Sequence, residues 1–420
     1  MPASNRNATT GQSTPTNSGE LANKAYVDSK TFSGPQGFTG ATGVQGSSGS
    51  NGSTGTQGTA GATGTQGVQG IQGSAGAPGF RNKIRNGNFN FWDNGATSFT
   101  PTSPTYTATS WQLYVSGQGS ERINVIESFT VPNSGIPQSI NCNCTTSGTI
   151  GSGAYYVLSQ YIEMPDMANC VGQTMTISFW VKSKLTGAKY VSFFQNITSH
   201  RYIGIYTINA ADTWEYHSIT FTDDNSIIGS QLDPTKYYEV DFVLDCGSGL
   251  VNNSQVGVWQ NVNQHIAGTM PNNMTASTSN YMQFSQVQLE LGSVASSYES
   301  PLYSAELQRL QRYIWLFKPA SGGYYSTGLS YVSTNAVGTI QNPVPMRVAP
   351  TCTVTGGSGQ FYVLNGSAAG VVTTALSVDV PGAIVNRWNA TVASGLTAGQ
   401  ATLLLDHGSG SSSILFSAEF

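Results

Sequence analysis

From Arg81 to about residue 300, apolar and polar residues alternate in short runs parted by Gly, Asn, Asp and Ser, the two-residue period of β-strands. Thr174 to Lys184 places Met175, Ile177, Phe179 and Val181 on one face. Tyr237 to Cys246 turns Tyr238, Val240, Phe242 and Leu244 inward and leaves Glu239, Asp241 and Asp245 on the outward face. In Tyr281 to Leu291 the apolar phase slips between Phe284 and Val287, which predicts a β-bulge near Ser285 or Gln286. Many strands without a helical period predict an antiparallel sandwich, and residues 80–302 suit one elaborated jelly roll.

The period changes after Pro301. Tyr303, Leu307, Leu310, Ile314 and Phe317 recur at the a and d spacing of a coiled-coil seam. The spacing predicts a short helical connector over 303–317, whose seam would line the axis of a three-helix bundle; a helix packed on its own sandwich is the alternative. Two-residue alternation then returns in Tyr324 to Val332, Cys352 to Thr355, Phe361 to Leu364, Val371 to Val378, Val385 to Val392, Thr402 to Leu405 and Ile414 to Phe420. Residues 318–420 therefore read as a second, smaller β-sandwich, a C-terminal head.

A third period governs the start of the chain. From Gly34 to Gly79 every third residue is glycine, 16 in phase without interruption. Only glycine fits at the axis where three polyproline-II-like strands wind together, and a flexible Gly-rich linker would keep no such register. Residues 34–79 thus predict a collagen-like triple-helical shaft, a homotrimer, and a rod on the order of 140 Å at about 3.1 Å per residue. Pro35 and Pro78 are its only prolines and its triplets carry no charge, so flanking segments must fix the register of the three chains. Residues 1–17 are mostly Ser, Thr, Asn and Gly; the helix-competent stretch SGELANKAYVDSK follows within the N-terminal segment 1–33.

Composition narrows the partners. Charged residues make up 9% of the chain and the net charge is −4, with no basic block, so clustered Lys and Arg for phosphate are missing and nucleic acid is not an expected partner. No stretch reaches the eighteen apolar residues of a membrane span, and the N-terminus has no apolar core region for export, so no membrane insertion is expected. Five scattered cysteines (Cys142, Cys144, Cys170, Cys246, Cys352) read as reduced, partly buried thiols rather than a disulfide framework or metal site.

Nothing in the residues points to catalysis. His200, His217, His265 and His407 sit in no nucleophile or metal motif, and neighbours Asp406 and His407 point to opposite faces of one strand. Asp223-Asp224-Asn225 reads as an ordinary turn, with a calcium site as the alternative. The chain is expected to be no enzyme and to hold no metal or cofactor. Sugar binding fits better: aromatic faces stack on the C–H surface of a pyranose, and Asn, Gln, Asp and Arg bond its hydroxyls. In the head, Tyr324, Tyr325, Tyr331, Phe361, Tyr362, Asn365, Asn386, Arg387, Trp388 and Asn389 are the candidates.

Five parts of the chain resemble bacteriophage tail fibre proteins. LANKAYVDSK is similar to segments near their N-terminus. IRNGNFNFWDNGATSF, followed by YTATSW, resembles the opening of their carbohydrate-binding-module-like domains, matched at Asn86, Gly87, Phe89, Trp92, Gly95, Tyr106, Thr107, Ala108 and Trp111; Thr109 and Ser110 depart from the usual Asp-Arg. FSQVQLELGSVASSYE resembles the last strand of the same domains, with Ser296 and Ser297 departing from it. Glu306, Leu307, Gln311, Arg312 and Tyr313 match a fibre connector in which Leu310 replaces a Cys, and VPMRVAPT with the terminal FSAEF is similar to the fibre head. The resemblance implies a virion protein made in the host cytoplasm, held by a tail or baseplate protein through its N-terminus. It would act as an adhesin for host cell-surface glycan, lipopolysaccharide or polysaccharide, with a purely structural collar or head fibre as the alternative.

Overall fold

The computed structural model describes residues 81–420 apart from 93–95, 118–121, 134–137, 227–231, 262–272, 367–369, 409 and 411. The N-terminal segment 1–33, expected to serve attachment, and the Gly-X-Y segment 34–79 lie outside the described residues. The fold is mainly β. The sandwich contains β1 (Ser98–Phe99), β2 (Thr105–Tyr106), β3 (Gln112–Ser116), β4 (Ile123–Ser128), β5 (Ser139–Cys144), β6 (Tyr155–Glu163), β7 (Thr174–Ser183), β8 (Gly187–Gln195), β9 (His200–Ile208), β10 (Glu215–Thr222), β11 (Tyr237–Cys246), β12 (Trp259–Asn261) and β13 (Tyr281–Leu291). They pair antiparallel in two sheets, ordered β1-β4-β5-β13-β7-β10 and β12-β9-β8-β11-β6-β3-β2.

One core fills the space between the sheets, holding Met175, Ile177, Phe179 and Val181 from one and Tyr238, Val240, Phe242 and Leu244 from the other. The bulge in β13 is where the phase slip placed it. Its pairing with β7 shifts between Ser285 and Gln288, and Gln286 takes a left-handed φ of 51°. The outward side of β11 is not solvated as the alternation suggested: Glu239, Asp241 and Asp245 are all buried. Asp241 accepts hydrogen bonds from Ser159 (2.6 Å), Ser192 (3.0 Å) and Arg201, while Thr275 donates to Asp245 (2.7 Å). A loop carrying Leu250, Val251 and Val256 packs over Tyr190, Ile203 and Val243 on the same face of the sheet.

The two ends of the sandwich are tied together. The Asn86 side chain donates to Phe91 O and Thr109 O, and Trp111 Nε1 donates to Asn86 O. Gly87 lies so close to β13 that an added Cβ would sit 2.2 Å from Val287 O, a position only glycine can hold. The residues that carry the fibre-domain resemblance at this end therefore close the fold.

The connector differs from expectation. A helix spans Tyr303–Gln311 only, and the chain then re-enters a strand, β14 (Ile314–Phe317). Leu310 is 0% exposed and Ile314 2%, whereas Tyr303 is 68% exposed. Glu306 accepts from Asn86 N (2.5 Å), Arg309 donates to Asn82 O (3.2 Å), and the Arg85 guanidinium stacks 3.7 Å over the Tyr313 ring. The helix is thus anchored on its own sandwich, and Tyr303, Leu307, Leu310, Ile314 and Phe317 form no continuous seam for a trimer axis. The heptad pattern misled because a nine-residue helix followed by a strand imitates the spacing of two heptads.

The head adds β15 (Tyr324–Val332), β16 (Asn335–Gln341), β17 (Thr351–Thr355), β18 (Phe361–Asn365), β19 (Gly370–Val380), β20 (Val385–Val392), β21 (Ala401–Asp406) and β22 (Ser413–Ser417). Strands β15-β16-β20-β19-β18-β21 close into a barrel, and β14-β22-β17 form a three-stranded sheet. Closure is a refinement of the smaller β-sandwich expected for 318–420. At the barrel's centre Gly328 pairs with Gly338, which pairs with Trp388, so the indole fills the space two side chains would have taken. Head and sandwich meet where Arg312 holds Glu163 through two bonds (2.7 and 2.8 Å) and Phe420 packs on Tyr161 and Tyr237. Among the described residues no helix is long and apolar enough to cross a membrane.

Candidate functional site

The ten head residues singled out from sequence are not brought together. Tyr325, Phe361 and Trp388 are core residues of the barrel. Asn386 is 0% exposed and donates to Ile340 O and Asn342 Oδ1, and Asn365 is buried, its amide donating to Gly395 O. Arg387 is engaged by Asp379 through two bonds (2.9 and 2.8 Å), and the same carboxylate accepts from Asn389. Tyr362 is half-buried beneath His407, ring centroids 3.6 Å apart. Of the ten, Tyr324, Tyr331 and the Asp379-paired Arg387 are the exposed ones.

The structure instead places a groove of about 390 Å³ between β14 and the β15–β16 hairpin, lined by Trp315, Phe317, Tyr325, Ser326, Thr327, Thr339, Ile340, Gln341 and Pro343. That volume lies within the range of small-ligand sites. Strand β14 pairs with β22 (Ile314 opposite Ser417, Phe317 opposite Ile414), and the alternation puts Trp315 and Phe317 on one face. Trp315 stacks on Phe416 at 4.7 Å and 8° and lies 5.2 Å from Phe317, which meets Tyr325 edge-on at 5.0 Å. Trp315 Nε1 donates to Asn342 Oδ1 (3.2 Å), which fixes the indole plane. Burial pushes the Tyr325 phenol up to about 12, so it stays neutral beside Ser412.

The polar groups of the groove are all uncharged. Ser326 Oγ donates to Thr327 O (2.9 Å) and accepts from Trp388 Nε1 (3.0 Å), while Thr327, Thr339 and Gln341 are exposed. The groove thus offers aromatic rings on one side and hydroxyl and amide groups on the other, the combination that holds a neutral pyranose. Sequence reading missed Trp315 and Phe317 because it assigned them to the helix; the two-residue spacing of aromatics in IWLF was the available signal.

Other clusters are closed to ligands. The carboxyls of Glu239 and Asp241 are paired with Arg201 and at most 4% exposed. Burial, reinforced by Asp241, pushes the Glu239 carboxyl well above the usual carboxylate range despite Arg201. Asp223 accepts from Gly172 N, Asn225 N and Gln195, and Asp224 faces His200 and Ser226, a hydrogen-bonded turn. Asp406 likewise ties down a loop, accepting from Gly322 N, Gly410 N and Ser412 Oγ. Burial alone would raise it; these donors bring it down to about 2.

A protein-family model described as the collagen triple helix repeat matches residues 30–83. No curated protein matches the chain. Among solved structures, the enzymatically active domain of tailspike protein 4 from bacteriophage CBA120 is 14% identical with a TM-score of 0.26, over 50% of this chain and 22% of that one. The matched part thus spans about a fifth of the tailspike. TmCBM61 in complex with β-1,4-galactotriose is 12% identical (TM-score 0.26; 51% of this chain, 100% of that one). The CBM22-1 xylan-binding domain of Paenibacillus barcinonensis Xyn10C is 12% identical (TM-score 0.22; 47% and 94%). Overlaps this loose assign neither a fold relationship nor a ligand.

Proposed function

We propose that the chain is a homotrimeric phage tail fibre adhesin that binds host cell-surface glycan without cleaving it, the N-terminal segment joining it to a tail or baseplate protein. The observation that carries the glycan reading is the uncharged aromatic groove of Trp315, Phe317 and Tyr325. The Gly-X-Y repeat supports three chains, because its glycine period has a single well-attested packing solution. The resemblance of the sequence to phage fibres at both ends of the sandwich supports placement in a virion. Three weak sites on one particle suffice, since linked sites gain avidity without new contacts.

The test is binding of the full chain to an array of neutral bacterial polysaccharides and to host envelope, alongside Trp315→Ala and Trp315→Phe. Stacking on one ring contributes about 0.5–1.5 kcal/mol beyond its area. Loss of the larger amount costs about tenfold per site and up to about a thousandfold in trimer avidity. Trp315→Phe should retain most binding. Wild-type chain that binds no glycan and no envelope would sink the adhesin reading and leave a structural fibre; Trp315→Ala that folds and binds like wild type would remove the groove from it.

A further inference from the structure

On the barrel flank reached by crossing β15 away from the groove, the outward side chains are mostly apolar across four strands, with the groove residue Thr327 of β15 beside Leu403. Register places Tyr324, Leu405, Tyr362 and Val372 side by side on β15, β21, β18 and β19. The next outward row sets Leu403 beside Leu364, and Leu329 stands opposite Ala401. Tyr324 is 62% exposed, Leu329 45% and Val372 38%. None of these residues is acidic or basic, though His407 stacks on Tyr362 and borders the row. The inward residues of the same strands, Leu404, Val363 and Phe361, already fill the barrel, so this outer face is not needed for the barrel's own core.

We propose that this face is the contact between the heads of three copies of the chain. A contiguous exposed apolar face marks an interaction surface. The Gly-X-Y repeat says which partner is always at hand: strands of a collagen helix run parallel, so three heads held on one trimer have a raised effective concentration for one another. Even a weak, mostly apolar contact is populated under that condition. An uncharged face also suits self-association, because identical charges brought together by a three-fold axis would repel. The sequence pattern required trimerising elements outside the proline-poor repeat, and the connector helix, anchored on its own sandwich, does not supply a seam. The inference rests on the three-chain state proposed above and not on what the groove binds.

The experiment compares the full chain with Tyr324→Cys and Val372→Cys on the face and Val385→Cys, 45% exposed, on β20. Sedimentation of the wild type reads the three-chain state by itself. A short bis-maleimide then reads proximity, with wild type as control for the native cysteines, of which all but half-buried Cys352 are buried. The expected result is a three-chain mass and interchain cross-linking at least about tenfold faster from Tyr324→Cys or Val372→Cys than from Val385→Cys. A single-chain mass overturns the trimer and the inference with it. A three-chain mass with equal cross-linking at all positions overturns the face alone. Sugar that binds this face and is lost in Tyr324→Ser, with no preferential cross-link, assigns it to glycan and also overturns the inference.

Discussion

Trp388 separates two readings of the head, a ligand-stacking residue or the centre of a barrel, and its replacement has a calculable cost. The indole is 0% exposed, and a Cβ on Gly338 would lie 2.5 Å from Trp388 Cε2 and 2.3 Å from Thr327 O. Gly328 is as tight, at 2.5 Å from Trp388 Cζ2 and 2.4 Å from Val337 O. Removing so large a buried ring costs about 3–5 kcal/mol in transfer and cavity terms. For a unit of roughly one hundred residues this lowers Tm by about 12–40 °C, a large part of an ordinary domain's stability. Gly338→Ala should destabilise by about 1–3 kcal/mol through overpacking, although glycine-to-alanine in a strand otherwise stabilises. Combining Gly338→Ala with Trp388→Leu should cost less than the two single changes added together, because the smaller side chain vacates the space the new Cβ enters. Calorimetry of the full chain, with limited proteolysis mapping early cleavage to residues 324–406, reads these effects. Trp388→Ala that melts with the wild type and loses only sugar binding would refute the barrel-centre assignment.

Two further outcomes follow from the ion pair at the junction and from the capped loop. Arg312→Ala leaves the buried Glu163 carboxylate without its two bonds; discounted for the partial exposure of Arg312, the loss is about 2–3 kcal/mol, read as a lower Tm, and an unchanged melt would make the pair ornamental. Asp406 has a folded value of about 2, below its unfolded value near 4, so its contribution is present above about pH 4 and is lost as pH falls through about 2. Asp406→Asn should therefore lower Tm at pH 5 and bring the wild-type and variant melts together toward pH 2; a difference independent of pH would contradict this.

How much of the molecule was legible depends on the range of the interaction that fixes each residue. Strands were readable because alternation is local: Tyr324 to Val332 and Val385 to Val392 begin and end where the pattern placed them, and the slip at Ser285 and Gln286 became the bulge in β13. The phase within a strand was harder to read. In β20, Trp388, Ala390 and Val392 share the inward face with Asn386, and that one buried amide disguised the apolar row, so surface roles were given to two interior residues. On β11 the alternation separated two faces correctly but could not tell that the second is also covered, here by a distant loop and by Arg201 reaching Asp241.

The groove was beyond local reading for a stronger reason. Its aromatic wall exists because residues 314–317 pair with residues 413–417, nearly a hundred positions away, and no local pattern encodes that choice. The same segment, read only against its nearest neighbours, satisfied a helical seam, since Leu307, Leu310, Ile314 and Phe317 keep the 3.5-residue spacing whether or not the helix continues. What ends the helix is tertiary. Glu306 and Arg309 fasten it to the sandwich at Asn86 and Asn82, and Tyr313, under the Arg85 guanidinium, fixes the point at which the chain leaves for the head. The anchored helix thereby delivers Trp315 and Phe317 to the edge of the barrel, so the position of the groove is set by the sandwich as much as by the head. Loosening that anchor should disturb the sugar binding proposed for the groove without touching a groove residue.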